Sequence, residues 1–218
     1  MFWRSLLLAL SLPAGLAAQN IPSLVPGKVL VAGRGLRDPN FAESVILLVR
    51  HSPKGSMGLV VNQPSRLRLS RLSEDLKGAA NRQDRVYLGG PVSRSGAVAL
   101  LRAAVVPAEA QHVFADVYLL SAKSMLEEQI AANSQPDKFR VYLGYAGWAR
   151  GQLEAEIDED AWHIFPGDAA WVFEGDPSTL WNRLIRRTEL RSAELRPRAP
   201  AQVQSKRNAT WIRTSIER

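Results

Sequence analysis

Three histidines, no cysteine and a scatter of carboxylates bound the chemistry this chain can attempt. His51 stands at the end of an apolar run and opens a Ser52-Pro53-Lys54-Gly55 turn, with Ser52 and Ser56 close along the chain. A histidine that acts as general base needs a carboxylate to orient it, and Asp38 and Glu43 are the candidates in reach. That set would serve a hydrolase or transferase. Neither serine sits in the Gly-x-Ser-x-Gly elbow that exposes a nucleophile; Gly55-Ser56-Met57-Gly58 lacks the spacing. The expected role of His51 is a hydrogen bond to the backbone that fixes a hairpin, or contact with a ligand. No catalytic residue is assigned.

His112 has no second histidine or carboxylate at ligand spacing, and His163 follows an acidic run, Glu154, Glu156, Asp158, Glu159 and Asp160. Oxygen ligands of that kind suit a divalent cation, but the run lacks the glycine and the alternation of a calcium loop and reads as a solvated helix end. There is no phosphate-binding glycine loop and no CxxC pair. No metal and no cofactor are expected.

Two glycine clusters remain. Gly89-Gly90-Pro91 follows a short strand. Its backbone N–H groups could cradle an anion; the plainer reading is a tight chain reversal. Gly144 and Gly147 flank Tyr145 and Trp148, whose rings could line a cleft for a flat or sugar-like ligand, or simply pack a strand on a helix. The candidate ligand-contacting set is therefore His51, Asn62, Gly89, Gly90, Tyr145 and Trp148.

The elements that must hold these residues follow from periodicity. Residues 44–50 and 57–61 are continuous apolar runs on either side of a Pro-Lys-Gly turn, the pattern of a central hairpin covered on both faces. Residues 86–88, 96–101, 113–120, 139–145 and 162–165 read as further strands, the last at an edge. Helices are expected over 69–76, over 122–132 with Ser121 as cap, over 150–157, as a turn at 168–173, and from Pro177 to about Thr188 with Asp176 as cap. Paired strands with scattered helices argue α+β rather than a βαβ series.

Composition sets the frame. Hydrophobic residues make up 46% of the 218 and charged residues 22%, enough for a sizeable core. The net charge of +7 is terminal: residues 183–218 hold ten Lys and Arg against three Glu, and the rest is balanced. Met1-Phe2-Trp3-Arg4, the apolar stretch to Leu12, Pro13 and the small residues to Ala18 form the pattern of a secretory signal peptide, too short to span a bilayer. The expected organisation is a signal peptide over 1–18, one α+β domain over 19–188, and a basic, poorly packed tail over 189–218. Such a tail would suit anionic components of the envelope, or nucleic acid only if the protein stays in the cytoplasm.

Five segments, in order, resemble the YqgE/AlgH family of bacterial proteins: Gly27 to Ala32 with Asp38-Pro39-Asn40-Phe41; Ser44 through His51; Gly55 to Pro64; Val86 to Val92; and Leu143-Gly144-Tyr145-Ala146-Gly147-Trp148 with Gly151-Gln152-Leu153-Glu154. The resemblance covers about residues 27–187. It implies a compact α+β domain around a small, partly closed β-barrel flanked by helices, with no established enzyme activity; one branch is named as a regulator of alginate production. This chain departs from the family in its leader, in Gly33-Arg34-Gly35 and in its basic tail. The expected function is a non-enzymatic ligand- or partner-binding protein exported to the envelope, with a cytoplasmic regulator as the alternative and a His51 hydrolase or transferase as the third reading.

Overall fold

A computed structural model describes residues 23–72 and 74–195. The leader and the tail beyond Leu195 lie outside the described residues. The fold is α+β, built on one large, mostly antiparallel sheet with helices on its faces. The strands run β10 (Trp162–Phe165), β1 (Val29–Ala32), β2 (Val45–Ser52), β3 (Gly55–Val60), β9 (Phe139–Ala149), β6 (Val92–Arg102), β8 (Val117–Leu120) and β7 (Gln111–Phe114). A short pair, β4 (Pro64–Arg68) and β5 (Arg85–Leu88), joins through β5, which lies parallel to β9.

The β2–β3 hairpin forms because residues 45–49 are all apolar and all covered. A bulge between Leu48 and Arg50 leaves Val49 out of register, and its carbonyl accepts instead from Gln111 Nε2 at 2.7 Å. This bond, with Arg50 Nη2 donating to Gln111 Oε1 at 3.3 Å and Phe114 packed on Gly27 and Gly167, brings the far strand β7 back towards β1 and β2. Side chains rather than a ladder bridge that gap, so the sheet curls without closing into a barrel.

Strand β9 is the shared member. Its first half pairs with β6 on one edge and with β5 on the other; its second half pairs with β3 on the β5 edge. At Gly89-Gly90-Pro91 the chain leaves β5 on one edge of β9 and enters β6 on the other, passing over the β9 backbone. A Cβ on Gly89 would strike the Gly144 carbonyl, and one on Gly90 the Tyr145–Ala146 peptide. Gly144 lies beneath with a left-handed φ of 69°, where a Cβ would sit 2.8 Å from the Val92 carbonyl.

Helix α1 (Lys123–Ala131) covers one face through Met125, Leu126 and Ile130, over Ala99, Leu101, Val141 and Phe139. Buried Arg82 ties its C-terminal end down by donating to the carbonyls of Ser134 and Ile130. Helices α2 (Gln152–Asp158), α3 (Ala169–Phe173) and α4 (Pro177–Leu195) complete the fold. Leu180, Trp181, Leu184 and Ile185 bury one face of α4, and Trp181 Nε1 donates to the Ala32 carbonyl at 2.8 Å. Arg34 lies over the Trp181 ring at 5.4 Å and pairs with Glu189.

Several expectations need correction. Residues 113–120 form two strands, with the chain turning at Ala115 (φ 45°) and Asp116, a pair with no strong turn signal. Strand β9 runs past Tyr145 to Ala149, with Gly144 in a left-handed conformation inside it. Ser121 is not the cap of α1; that position is Ala122, and no side chain caps it. Among the described residues of 69–76 the helical part is a 3-10 turn at Leu69–Leu72, in place of the expected helix. Helix α4 runs to Leu195, past Thr188, and Glu189 in its added part pairs with Arg34.

Two outcomes follow. Gly144→Ala should lose about 2 kcal/mol or more in chemical denaturation, since a left-handed Ala already costs ~1–2 kcal/mol before any clash. Burial lowers the pKa of His163 below the ordinary 6.5, against the opposing pull of Asp160 and Glu189. The unfolded chain therefore takes up the proton first, so the His163 contribution is complete above about pH 6.5 and is lost as pH falls through the lowered value. Denaturation at pH 7.5 and pH 5 should show a smaller acid loss for His163→Gln than for the parent.

Candidate functional site

The register places His51 opposite Ser56 and Ser56 opposite Trp148, so three side chains form a row across β2, β3 and β9. Ser56 lies 2.8 Å from His51 Nδ1, and His51 Nε2 lies 3.7 Å from Glu154 Oε1 on α2. At 3.7 Å the Glu154 contact is an ion-pair separation rather than a hydrogen bond; in the tautomer with the proton on Nε2, Nδ1 accepts from the Ser56 hydroxyl. The histidine thus bonds a side chain, not the backbone. Its carboxylate neighbour is Glu154, in place of Asp38 or Glu43: the Asp38 carboxylate accepts from Asn40, and the charge of Glu43 acts on Arg34.

This row has the composition of a serine–histidine–carboxylate set. Its setting differs from a nucleophile site. Ser56 is 9% exposed and sits within a strand paired on both sides, rather than on a sharp turn that thrusts the hydroxyl out.

Next to it, the signature block folds onto itself. Gly151 turns the chain with φ 74°, and α2 comes back along β9. Gln152 Oε1 accepts from the Ala149 amide at 3.0 Å, and Gln152 Nε2 donates to Glu156 Oε1 at 2.8 Å. Glu156 Oε2 accepts from both Trp148 Nε1 (2.9 Å) and Trp162 Nε1 (2.8 Å). One carboxylate oxygen therefore satisfies two indoles that would otherwise be buried unpaired. The Asp38-Pro39-Asn40-Phe41 turn sets Phe41 as a lid, stacked on Trp148 at 6.3 Å and edge-on to Trp162 at 6.0 Å.

The remaining candidates fall into two groups. Trp148 is 5% exposed and closed over by this cluster. Asn62 clamps the start of β2, accepting from the Val45 amide at 2.8 Å and donating to the Glu43 carbonyl at 3.0 Å. Gly89 donates to the Leu143 carbonyl at 2.8 Å and accepts from the Val60 amide at 2.9 Å, so its N–H is committed to the crossing and is not open to an anion. Half-buried Tyr145 lies over Gly147 beside Val92. Leu88 and Val92, on either side of Gly89-Gly90-Pro91, are 45% and 38% exposed. Of the set, His51 and Trp148 join Ser56 in a row, Gly89, Gly90 and Tyr145 gather at the crossing beside exposed Leu88 and Val92, and Asn62 stands apart as a clamp on β2. Among the described residues no cluster of histidine and carboxylates is arranged to hold a metal.

The AlgH-like family model matches residues 29–193, which takes in the row, the crossing and the indole cluster. The chain belongs to the AlgH-like family. It is 36% identical to the UPF0301 protein AlgH of Pseudomonas aeruginosa, over 73% of this chain and 86% of that protein. A UPF0301 protein of Streptomyces coelicolor is 35% identical over 76% of this chain and 87% of its own. The solution structure of Pseudomonas aeruginosa AlgH superposes with a TM-score of 0.64 at 31% identity, covering 82% of this chain and 97% of that one. A crystal structure of a Corynebacterium diphtheriae protein shares the fold, with a TM-score of 0.63 at 24% identity over 76% and 87% of the two chains.

Sequence reasoning named Trp148 of this AlgH-like chain but read Glu154 and Glu156 as a solvated helix end. Their roles come from α2 folding back on β9, and only their two-residue spacing hinted that they serve different neighbours. Glu156→Ala should cost about 2–4 kcal/mol by stranding two indole donors, with a red shift in tryptophan emission. His51→Ala, whose partners face solvent in part, should cost less than half as much in the same melt.

Proposed function

We propose that this AlgH-like chain is a non-catalytic binding protein exported to the cell envelope, and that it meets a small ligand or a partner protein at the surface around Gly89-Gly90 and Tyr145, with Trp148 buried behind it as part of the fold. One observation carries the reading. The polar atoms of the signature are spent on the fold itself, in Gln152 to Ala149, Glu156 to two indoles and Gly89 to Leu143, while the rim around the crossing exposes Leu88 and Val92. A surface that offers apolar side chains and few free polar groups suits recognition rather than bond-making. Export rests on the leader pattern of residues 1–18 and agrees with a chain free of cysteine. Among the described residues no helix is long and apolar enough to cross a membrane.

A second reading has an observation of its own. The Ser56 hydroxyl lies 2.8 Å from a ring nitrogen of His51, the pairing of nucleophile and base that a hydrolase needs, though through Nδ1 where the serine–histidine–aspartate triad uses Nε2.

Two measurements decide. Intact mass of the protein from fractionated native cells should begin near Ala18 or Gln19 in the envelope or external fraction; a cytoplasmic species that keeps its leader restores the cytoplasmic regulator. A fluorophosphonate probe should leave the folded protein unlabelled. A covalent adduct on Ser56 that disappears in His51→Ala would replace the binding reading with the hydrolase. For the surface itself, a photoreactive residue at Val92 should give a discrete cross-link in native cells that Leu88→Asp abolishes; cross-linking indifferent to Leu88→Asp contradicts the assignment of this face.

A further inference from the structure

Charge balance along the chain hides a local excess on the short β4–β5 pair. Arg68 and Arg85 stand directly opposite each other, a like-charge cross-strand pair that costs stability unless an anion lies near. A third guanidinium joins them from the start of β9. Arg140 lies 4.9 Å over the Tyr87 ring and 6.0 Å from that of Phe173. It donates to the carbonyls of Phe173 at 2.8 Å and Pro136 at 3.2 Å. These neutral partners and two rings hold the fork rigid without neutralising it. Among the described residues no carboxylate pairs with Arg140 or Arg85. Asp84, the carboxylate at this rim, is taken by Arg82 at 2.6 Å.

Arg85 and Arg140 edge a concavity. With Tyr87 and Asp84, whose carboxylate is held by Arg82, they form its polar side, and Leu69, Phe139 and Val141 form its apolar side. Burial raises the Tyr87 phenol above its ordinary pKa against the opposing pull of Arg140 and Arg85, so it stays a hydroxyl donor at neutral pH. A planar guanidinium fixed in place loses little freedom on binding and matches an oxyanion through two parallel donors.

We propose that this concavity binds a small organic anion, its carboxylate or phosphate group against Arg85, Arg140 and the Tyr87 hydroxyl and a short apolar body against Leu69, Phe139 and Val141. The site lies apart from the rim at Leu88 and Val92 and does not depend on it.

The test titrates the full chain with phenyl phosphate, benzoate, inorganic phosphate and benzyl alcohol, following backbone amides by NMR at constant ionic strength. Expected are saturable shifts centred on Tyr87, Arg140 and Val141 with one or both aryl anions, the tighter one naming the anionic group. Inorganic phosphate should bind about tenfold or more weakly for want of the apolar body, and benzyl alcohol should not bind. Arg85→Gln, on an exposed side chain, should weaken the aryl anion about tenfold with the spectrum elsewhere unchanged. Shifts that do not saturate, that benzyl alcohol reproduces, or that Arg85→Gln leaves intact overturn the site. Shifts centred on Val92 and Tyr145 instead would also overturn it, while supporting the signature surface.

Discussion

Where Gly89 and Gly90 pass over β9, backbone meets backbone at a separation that admits no Cβ on either glycine. The contact is also polar. Gly89 donates to Leu143 and accepts from Val60, so the crossing closes the gap between the ends of β5 and β3 on one edge of β9. Gly144 completes it from below, its left-handed φ bending β9 so that one half can belong to the β3 side and the other to the β6 side. Without that step the two parts of the sheet would have no common strand. The crossing is stable because both backbone groups of Gly89 are paired, and it explains why Gly89-Gly90 and the distant Gly144 serve one place.

The indole cluster is the second consequence. Once β9 runs unbroken to Ala149, Gly151 can turn α2 back along it, and Glu156 arrives under Trp148 and Trp162. The same return delivers Glu154 to His51. Residues that look like an active-site collection are thus brought together by one helix fastened to one strand. The His51–Ser56 bond is a by-product of the hairpin register, and it sits within paired strands rather than at a reactive turn.

The sequence made part of this legible. The β2–β3 hairpin was plain because residues 45–49 are apolar without interruption, and the Asp176-Pro177 start of α4 because the cap chemistry is local. What escaped was non-local or ran against propensity. Strand β4 reads as a polar stretch, Pro64-Ser65-Arg66-Leu67-Arg68, and exists because β5 pairs with it. The turn at Ala115 has no glycine or asparagine to announce it. Gly89-Gly90-Pro91 was expected to be a reversal or an anion cradle, since nothing local distinguishes a turn from a crossing. The arginines of β4 and β5 were lost in a neutral total, because charge summed along a chain carries no information about which cations face one another.

Native-state hydrogen exchange at the Gly89 and Val60 amides tests the central role of the crossing most directly. If the two parts of the sheet depend on it, both amides exchange only through global unfolding, in the slowest class with the core of β2 and with the same denaturant dependence. Exchange of Gly89 and Val60 through a local opening, while β2 and β9 stay protected, would show that the crossing is a dispensable contact and would contradict the account.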